Sequence, residues 1–300
     1  MDASLPLTET SINADAPACP LCSSVHTRTV CEYAGKSLLK CSGCGVSFLF
    51  PQPSLQDCTT HFEQGSSLTA RELKNKFENN RARVLARVAT EIRKRRPVGT
   101  ILDVGCATGV FLSHFFLSAE WERWGVDLSP VAAQHATQAG IEVRCGNIRD
   151  ANFAETQFDV VTVLDAFYYF KTPQEDLTEI RRVLKDDGLL AIELPLATSR
   201  IWRSSSFIGK LLSGSRRSLL DSSDHLFYFT PKSVTALLSR VGFIVNQIVP
   251  LPGNRQVSPG RDFAVRSYFR ISELLRLLSR SRIFLAPRFL VLTTKSAPHR

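Results

Sequence analysis

Between residues 100 and 194, five short apolar runs alternate with stretches of helical periodicity, and no other feature of this 300-residue chain limits its fold so tightly. The runs are Thr100–Val104, Arg123–Asp127, Glu142–Cys145, Asp159–Leu164 and Leu189–Leu194, with helices expected near 109–119, 130–139 and 174–185. Strand, helix and strand in this rhythm build a parallel sheet, because parallel neighbours need crossovers and the crossover helices cover both faces. The expected class is α/β with a Rossmann-like sheet. Upstream, residues 70–96 set Leu73, Phe77, Val84, Leu85, Val88 and Ile92 at mostly helical spacing among charges, an amphipathic helix ended by Pro97 and Gly99.

The first strand runs into Gly105-Cys106-Ala107-Thr108-Gly109 and then a helix opening Val110-Phe111-Leu112. A glycine turn at the carboxyl end of a strand lets backbone approach a ligand, and the helix start behind it aims amide hydrogens there. The same turn also serves as a plain tight loop. Eighteen residues past Gly109 the second strand ends at Asp127, where a carboxylate can accept two ribose hydroxyls. Together they imply a nucleoside site. The chain has no GxxxxGK(S/T) run, so a phosphate-wrapping lysine loop is excluded.

Four of the eight cysteines fall in two short pairs, Cys19-Pro-Leu-Cys22 and Cys41-Ser-Gly-Cys44, separated by eighteen residues. This is the spacing of a two-knuckle zinc site, in which each pair grips from a tight turn and four thiolates close a tetrahedron. Gly43 and Gly45 suit the second knuckle. Four sulfurs leave no open coordination position, so the expected role is to stabilise a segment too small to fold alone. Cys31, Cys58, Cys106 and Cys145 lack metal spacing and read as small buried residues or incidental thiols.

Hydrophobic residues at 44% and charged residues at 22% exclude disorder as the dominant state. No apolar run approaches the roughly 18 to 20 residues of a bilayer span, and the polar first twenty residues do not read as a secretory signal, so a cytoplasmic location is expected. The net charge of +9 is unevenly divided. Residues 1–60 carry −2, 61–97 carry +6, 98–199 carry −8 and 200–300 carry +13. A uniformly basic coat for nucleic acid is therefore absent, and an anionic partner would meet the flanks.

These motifs carry a resemblance. Residues 101–250 resemble the class I S-adenosylmethionine-dependent methyltransferases: ILDVGCATGVFL is similar to their first motif, WGVDLSP to the second, FDVVTVLDAFYYFKTP to the fourth and LKDDGLLAIELP to the fifth. CPLC…CSGCGVSFLFPQP and DHLFYFTPKSVTALLSRVGF resemble a bacterial subgroup with an amino-terminal zinc-binding segment, and Phe289–Thr294 resembles the family's antiparallel last strand. The resemblance implies a flexible residue 1–17 segment, a zinc ribbon over 18–60 and a linker helix over 61–97. A methyltransferase domain would follow over 98–300, with substrate-side insertions at 196–230 and 251–286. It implies two cofactors, S-adenosylmethionine and a structural zinc held by Cys19, Cys22, Cys41 and Cys44.

By the same resemblance Asp103 holds the first loop or the cofactor's amino group. Gly105 and Gly109, with Cys106 between them, are the close-approach positions. Asp127 is the ribose ligand with Leu128 beside the adenine, Asn147 and Ile148 edge the adenine, and Asp165 lies near the methionine end. Two departures stand out. Ala107 occupies the place of a second glycine, a change that a turn of negative φ accepts. Tyr168-Tyr169 stands where the subgroup shows Glu-His, so no general base is carried over from that pair.

A base helps most for hydroxyl acceptors. His225 is the leading candidate, alternatively a histidine that pins its loop; Tyr168 and Tyr169 are catalytic candidates or aromatic walls. Two basic amphipathic segments flank the acceptor side. Residues 196–222 mix Ile201, Trp202, Phe207, Ile208, Leu211 and Leu212 with five cations, and residues 265–282 put Ile271, Leu274, Leu275 and Leu278 opposite Arg266, Arg270, Arg276 and Arg280. Each can pack on the sheet as a lid, lie on an anionic membrane or meet a partner. The expected activity is methylation, chiefly at oxygen, of a small-molecule, glycan or lipid-linked acceptor. The alternatives are an RNA methyltransferase using the zinc segment and basic flanks, or a non-catalytic S-adenosylmethionine-binding protein.

Overall fold

A computed structural model describes residues 17–33, 35–54, 70–198, 225–254, 259–279 and 284–297. The expected flexible residues 1–16, Cys58, most of the 196–222 segment and Arg280 lie outside the described residues, as do the side chains of Leu73 and Phe77.

The main sheet has seven strands in the order β10-β11-β8-β7-β4-β5-β6. They are β4 (Gly99–Val104), β5 (Trp121–Asp127), β6 (Glu142–Cys145), β7 (Phe158–Leu164), β8 (Leu184–Pro195), β10 (Phe243–Leu251) and β11 (Arg288–Lys295). β4, β5, β6, β7 and β8 pair in parallel, and β11 runs antiparallel between β8 and β10. Strand order reverses between β4 and β7, the switch point where open α/β sheets leave a crevice beyond their carboxyl ends.

The connecting helices are α2 (Val110–Phe115), α3 (Pro130–Gln138) and α4 (Pro173–Val183). α2 stops earlier than its sequence pattern suggests. Phe116 leaves the helix at φ −133° and seats its buried ring edge-on against Trp121, centroids 4.8 Å apart. α3 begins at Ser129, whose side chain accepts the Ala132 N–H, with Pro130 at the first helical position. β8 absorbs the Lys185–Gly188 turn as an irregularity: Phe158 pairs with Leu184, but the next partner of β7 is Leu189.

The long helix α1 (Ala70–Arg93) precedes the sheet and packs on it. Val84, Leu85, Val88, Ala89 and Ile92 are buried with Ile101, Phe111, Leu112 and Phe116 in one apolar cluster. Its opposite side is charged, as a 3.6-residue period demands of a helix with one covered face.

The amino-terminal strands β1 (Thr27–Tyr33), β2 (Lys36–Cys41) and β3 (Ser47–Phe50) form an antiparallel meander. It is not closed on itself. The two-residue strand β9 (Phe227–Tyr228), from the far side of the sequence, pairs with β3 as Ser47–Tyr228 and Phe48–Phe227 and completes a four-stranded sheet. Cys19, Leu21, Val46 and Phe48 share one apolar core with Phe167, Leu226, Phe227 and Phe229. Gln174 Nε2 and Arg240 Nη1 both donate to the Leu21 carbonyl, at 2.8 and 3.0 Å, fastening the first knuckle to the helices of the main sheet. Behind β9, helix α5 (Pro231–Arg240) opens with a capping box between Thr230 and Ser233.

Of the three arrangements open to the last helix, α6 (Pro259–Leu278), its apolar face does not take the packed one. Ile271, Leu274, Leu275 and Leu278 all point outward and are exposed. Asp262 and Ser272 are buried instead, and Arg276 is half-buried on the inner side. The inner face is fixed by charge: Arg83 of α1 lies 2.6 Å from Asp262. A wheel drawn from sequence gives the two faces but not which of them turns inward.

Candidate functional site

Three loops meet at the carboxyl edge of β4, β5 and β7. In the turn after β4, Gly105 and Cys106 donate their N–H groups to the Val126 carbonyl at 2.8 and 3.1 Å. Gly105 has φ +80°, and a Cβ there would lie 2.7 Å from the Ala166 Cβ beyond β7. Gly109 has φ +73°, with Ile141 and Ala136 filling the space a side chain would need. Cys106 is buried against Gly125 of β5, and burial pushes its thiol well up. Ala107 corrects one expectation. Its φ is +48°, in the left-handed region, so the turn tolerates alanine at some strain rather than through a negative φ.

Asp127 ties this turn to the next loop. Its Oδ2 accepts the Ala107 N–H at 2.8 Å and its Oδ1 accepts the Ser129 N–H at 2.9 Å. Burial raises its pKa, and the two amide hydrogen bonds work against that shift. A carboxylate has about four acceptor positions, so the two amides leave lone pairs on both oxygens for vicinal hydroxyls. Leu128 follows, part-exposed at the mouth of the loop.

Asp103 sits inside, under the turn. Thr162 Oγ1 of β7 donates to its Oδ1 at 2.6 Å, and burial pushes the carboxyl up to about 7 against the pull of Thr162 and Arg81. Asn147 spends its side chain locally: its Oδ1 accepts the Arg149 and Asp150 N–H groups at 2.8 and 3.1 Å. Ile148 is buried in the main core.

Beyond β7, Asp165 takes φ +62° and enters a buried cluster that the sequence did not reveal. Tyr168 Oη donates to Asp165 Oδ1 at 2.7 Å, Arg81 Nη1 of α1 lies 3.3 Å from Oδ2, and Arg288 at the start of β11 pairs with the same carboxylate. Glu193 of β8, fully buried, pairs with both arginines. Burial alone would raise the Asp165 carboxyl, but Arg288, Arg81 and the Tyr168 hydroxyl override it and hold it well below the usual carboxylate range. Tyr168 moves the other way: burial and the adjacent Asp165 charge push its phenol well up. The available signal was Glu193 itself, one carboxylate inside the apolar run Leu189–Leu194; its partners lie too far along the chain for any spacing rule.

His225 is buried beside this cluster. Its ring lies 5.4 Å from Tyr169 and 5.6 Å from Tyr228, and the Leu226 N–H donates to the Tyr168 carbonyl at 3.0 Å. The structure thus brings together His225, Tyr168, Tyr169 and Asp165 on one side, and Gly105, Asp103 and Asp127 on the other, around the β4–β7 switch point.

The four knuckle cysteines converge as their spacing predicts. Their sulfurs lie within 4.8 Å of one another, with Cys19–Cys44 at 3.7 Å and Cys22–Cys41 at 3.4 Å. A tetrahedron with Zn–S bonds of 2.3 Å has edges of about 3.8 Å. The Cys44 N–H points at the Cys41 sulfur, 3.5 Å away, as a thiolate acceptor requires. Burial pushes the Cys44 thiol up to about 11, a shift that a bound dication reverses. The donor set fits a zinc ion.

Residues 70–248 match a family model described as a methyltransferase domain. Among curated proteins, an uncharacterised protein of Methanocaldococcus jannaschii is 27% identical over 152 residues, covering 51% of this chain and 68% of its own. Two solved structures share the fold. A chain from the complex of the Haloferax volcanii Trm112 methyltransferase activator with a methyltransferase superposes with TM-score 0.55 at 17% identity, over 82% of this chain and 100% of that one. The 1,6-didemethyltoxoflavin-N1-methyltransferase of Burkholderia thailandensis, solved with S-adenosylhomocysteine, gives TM-score 0.54 at 13% identity over 90% and 99%.

Proposed function

The chain belongs to the methyltransferase-domain family, and from that premise we propose that it moves a methyl group from S-adenosylmethionine to a small-molecule, glycan or lipid-linked acceptor, at a hydroxyl oxygen. The observation that carries this reading is Asp127, at the end of β5 beside the switch point, clamped by the Ala107 and Ser129 amides so that the glycine turn and this carboxylate are held together.

When bound, S-adenosylmethionine supplies a methyl group on a good sulfonium leaving group, so the protein's tasks are alignment and proton removal. In this reading the Asp127 carboxylate receives the ribose hydroxyls, the Gly105–Gly109 backbone accommodates the cofactor's close approach, and Asp103 braces the turn from below. His225 accepts the acceptor's proton, its imidazole offering a ring nitrogen as the base beside the tyrosine wall. Tyr168 keeps its hydroxyl on Asp165 and serves as the face that orients the imidazole. Tyr169, half-buried, forms the wall beside it.

The RNA reading is disfavoured by where the arginines of α1 and of the turn that follows it are used. Arg81, Arg83, Arg95 and Arg96 each meet a carboxylate within the chain, at Glu193, Asp262, Glu91 and Asp187. Fewer remain to neutralise phosphates.

Calorimetric titration with S-adenosylhomocysteine tests the site: Asp127→Ala should weaken binding by about 1.5 to 3 kcal/mol. Absence of binding by the wild type overturns the reading. Transfer of isotope-labelled methyl from S-adenosylmethionine into fractionated small-molecule and lipid extracts then separates an enzyme from a binding protein, which would release none.

A further inference from the structure

The outward face of α6 is built for a surface that is both apolar and anionic. At 100° per residue, Phe263, Leu274, Leu278, Ile271 and Leu275 fall within about 120° of arc along a helix about 30 Å long. Phe263 is 72% exposed and Leu278 73%, with Ile271 and Leu274 above half. Nothing among the described residues covers this stripe, although hydrophobic residues of a helix in water are ordinarily the covered ones.

Charge decides what fits it. Arg266 and Arg270, both exposed, border the stripe on one side. The two acidic residues of the helix lie off the stripe: Asp262, buried, is shared by Arg83 and Arg266 at 2.6 Å each, and Glu273 pairs with Arg276 at 3.2 Å. Arg83, Arg266, Arg270 and Arg276 thus face two carboxylates, so the border of the apolar stripe is net positive. A second copy of the chain fits poorly, since a two-fold pairing centred on Ile271 would bring both Arg270 side chains together with no carboxylate on the stripe to offset them. An apolar layer under anionic headgroups offers both complements at once. No helix of the described residues is long and apolar enough to cross a membrane, so α6 would lie along the surface.

We propose that α6 is a peripheral membrane-binding helix that docks the protein on an anionic bilayer surface. Two contacts tie it to the rest of the chain: Arg83–Asp262 joins its first turn to α1, and the Tyr268 hydroxyl donates to the Leu285 carbonyl. Docking through α6 does not depend on methyl transfer and is measured without donor or acceptor.

The test is co-flotation of the full chain with vesicles of phosphatidylcholine alone or with roughly 30 mol % phosphatidylglycerol. The wild type should float with the anionic vesicles. Ile271→Ser/Leu278→Ser should lower bound protein about tenfold, and Arg270→Gln should weaken binding to anionic vesicles with little change on neutral ones. All three substituted side chains are exposed, so thermal melting should match the wild type. Absence of flotation, or equal flotation by the wild type and the double variant, overturns the proposal. So does a dimer in light scattering that the double variant dissociates, unaccompanied by vesicle binding.

Discussion

The imidazole of His225 lies flat on the phenol ring of Tyr168, with ring centroids 3.6 Å apart and planes 5° from parallel. The stack couples the candidate base to a residue 57 positions earlier, and through the Tyr168 hydroxyl to Asp165 and the buried arginines. Removal of the imidazole and removal of the phenolic hydroxyl should therefore differ in effect. His225→Ala should lower kcat by about 10² to 10⁴ at unchanged S-adenosylhomocysteine affinity. Tyr168→Phe keeps the stack and loses one hydrogen bond, so stability should fall by about 1 kcal/mol while most turnover survives. Equal kcat losses in the two variants would remove His225 from the proton-accepting role.

The cluster of Asp165, Glu193, Arg81 and Arg288 is balanced only while both carboxylates are present. Glu193→Ala leaves two buried guanidiniums facing one acid, an imbalance that costs about 3 to 5 kcal/mol when a buried pair loses a partner. Urea denaturation reads the loss directly. A shift below about 1 kcal/mol, the range of exposed pairs, would mean that water already reaches the cluster.

Asp103 carries a pH signature. Its folded-state pKa of about 7 lies above the ordinary 3.8, so the native state binds the proton more tightly than the unfolded chain. By linkage, this group favours folding most when protonated, and that advantage is lost as pH rises from about 4 to about 7. Melting curves across this window should show the wild type losing stability relative to Asp103→Asn, which does not titrate. Parallel curves would place the Asp103 carboxyl in the ordinary range.

Zinc should control β9. Because β3 supplies the pairing partner of Phe227 and Tyr228, loosening the knuckles releases a strand two residues past His225. Cys22→Ser, or chelation of the wild type, should abolish stoichiometric zinc by elemental analysis and raise amide exchange at residues 226–228 as well as 19–50. Unchanged exchange at 226–228 after metal loss would show that the β9 side holds itself.

Ala107 stores strain that glycine would relieve. Its left-handed backbone costs roughly 1 to 2 kcal/mol, partly offset by the greater unfolded-state freedom of glycine. Ala107→Gly should therefore raise stability by up to about 1 kcal/mol in urea denaturation. A destabilised variant would point to a packing role for the methyl group.

Local chemistry makes much of this protein legible without coordinates. Short apolar runs and period-3.6 patterns give the element order from β4 to β8, because a strand covered on both faces buries consecutive side chains and a helix with one covered face every third to fourth. The Gly105–Gly109 turn, Asp127 and the two cysteine pairs are readable for a similar reason: each constraint operates within a few residues, and 2.8 Å from Ala107 to Asp127 follows once β4 and β5 are adjacent. Three features required the folded chain. β9 closes the ribbon sheet because Phe227 and Phe48 share a core, although they lie 179 positions apart in the chain. Arg81 and Arg288 meet at Glu193 because α1 and β11 both flank β8, a proximity no spacing encodes. The outward turn of the α6 leucines goes with Asp262 facing Arg83 of α1, a contact between distant segments that no helical wheel encodes. Sequence fixes what each segment can bury; only the assembled neighbours select which face they cover.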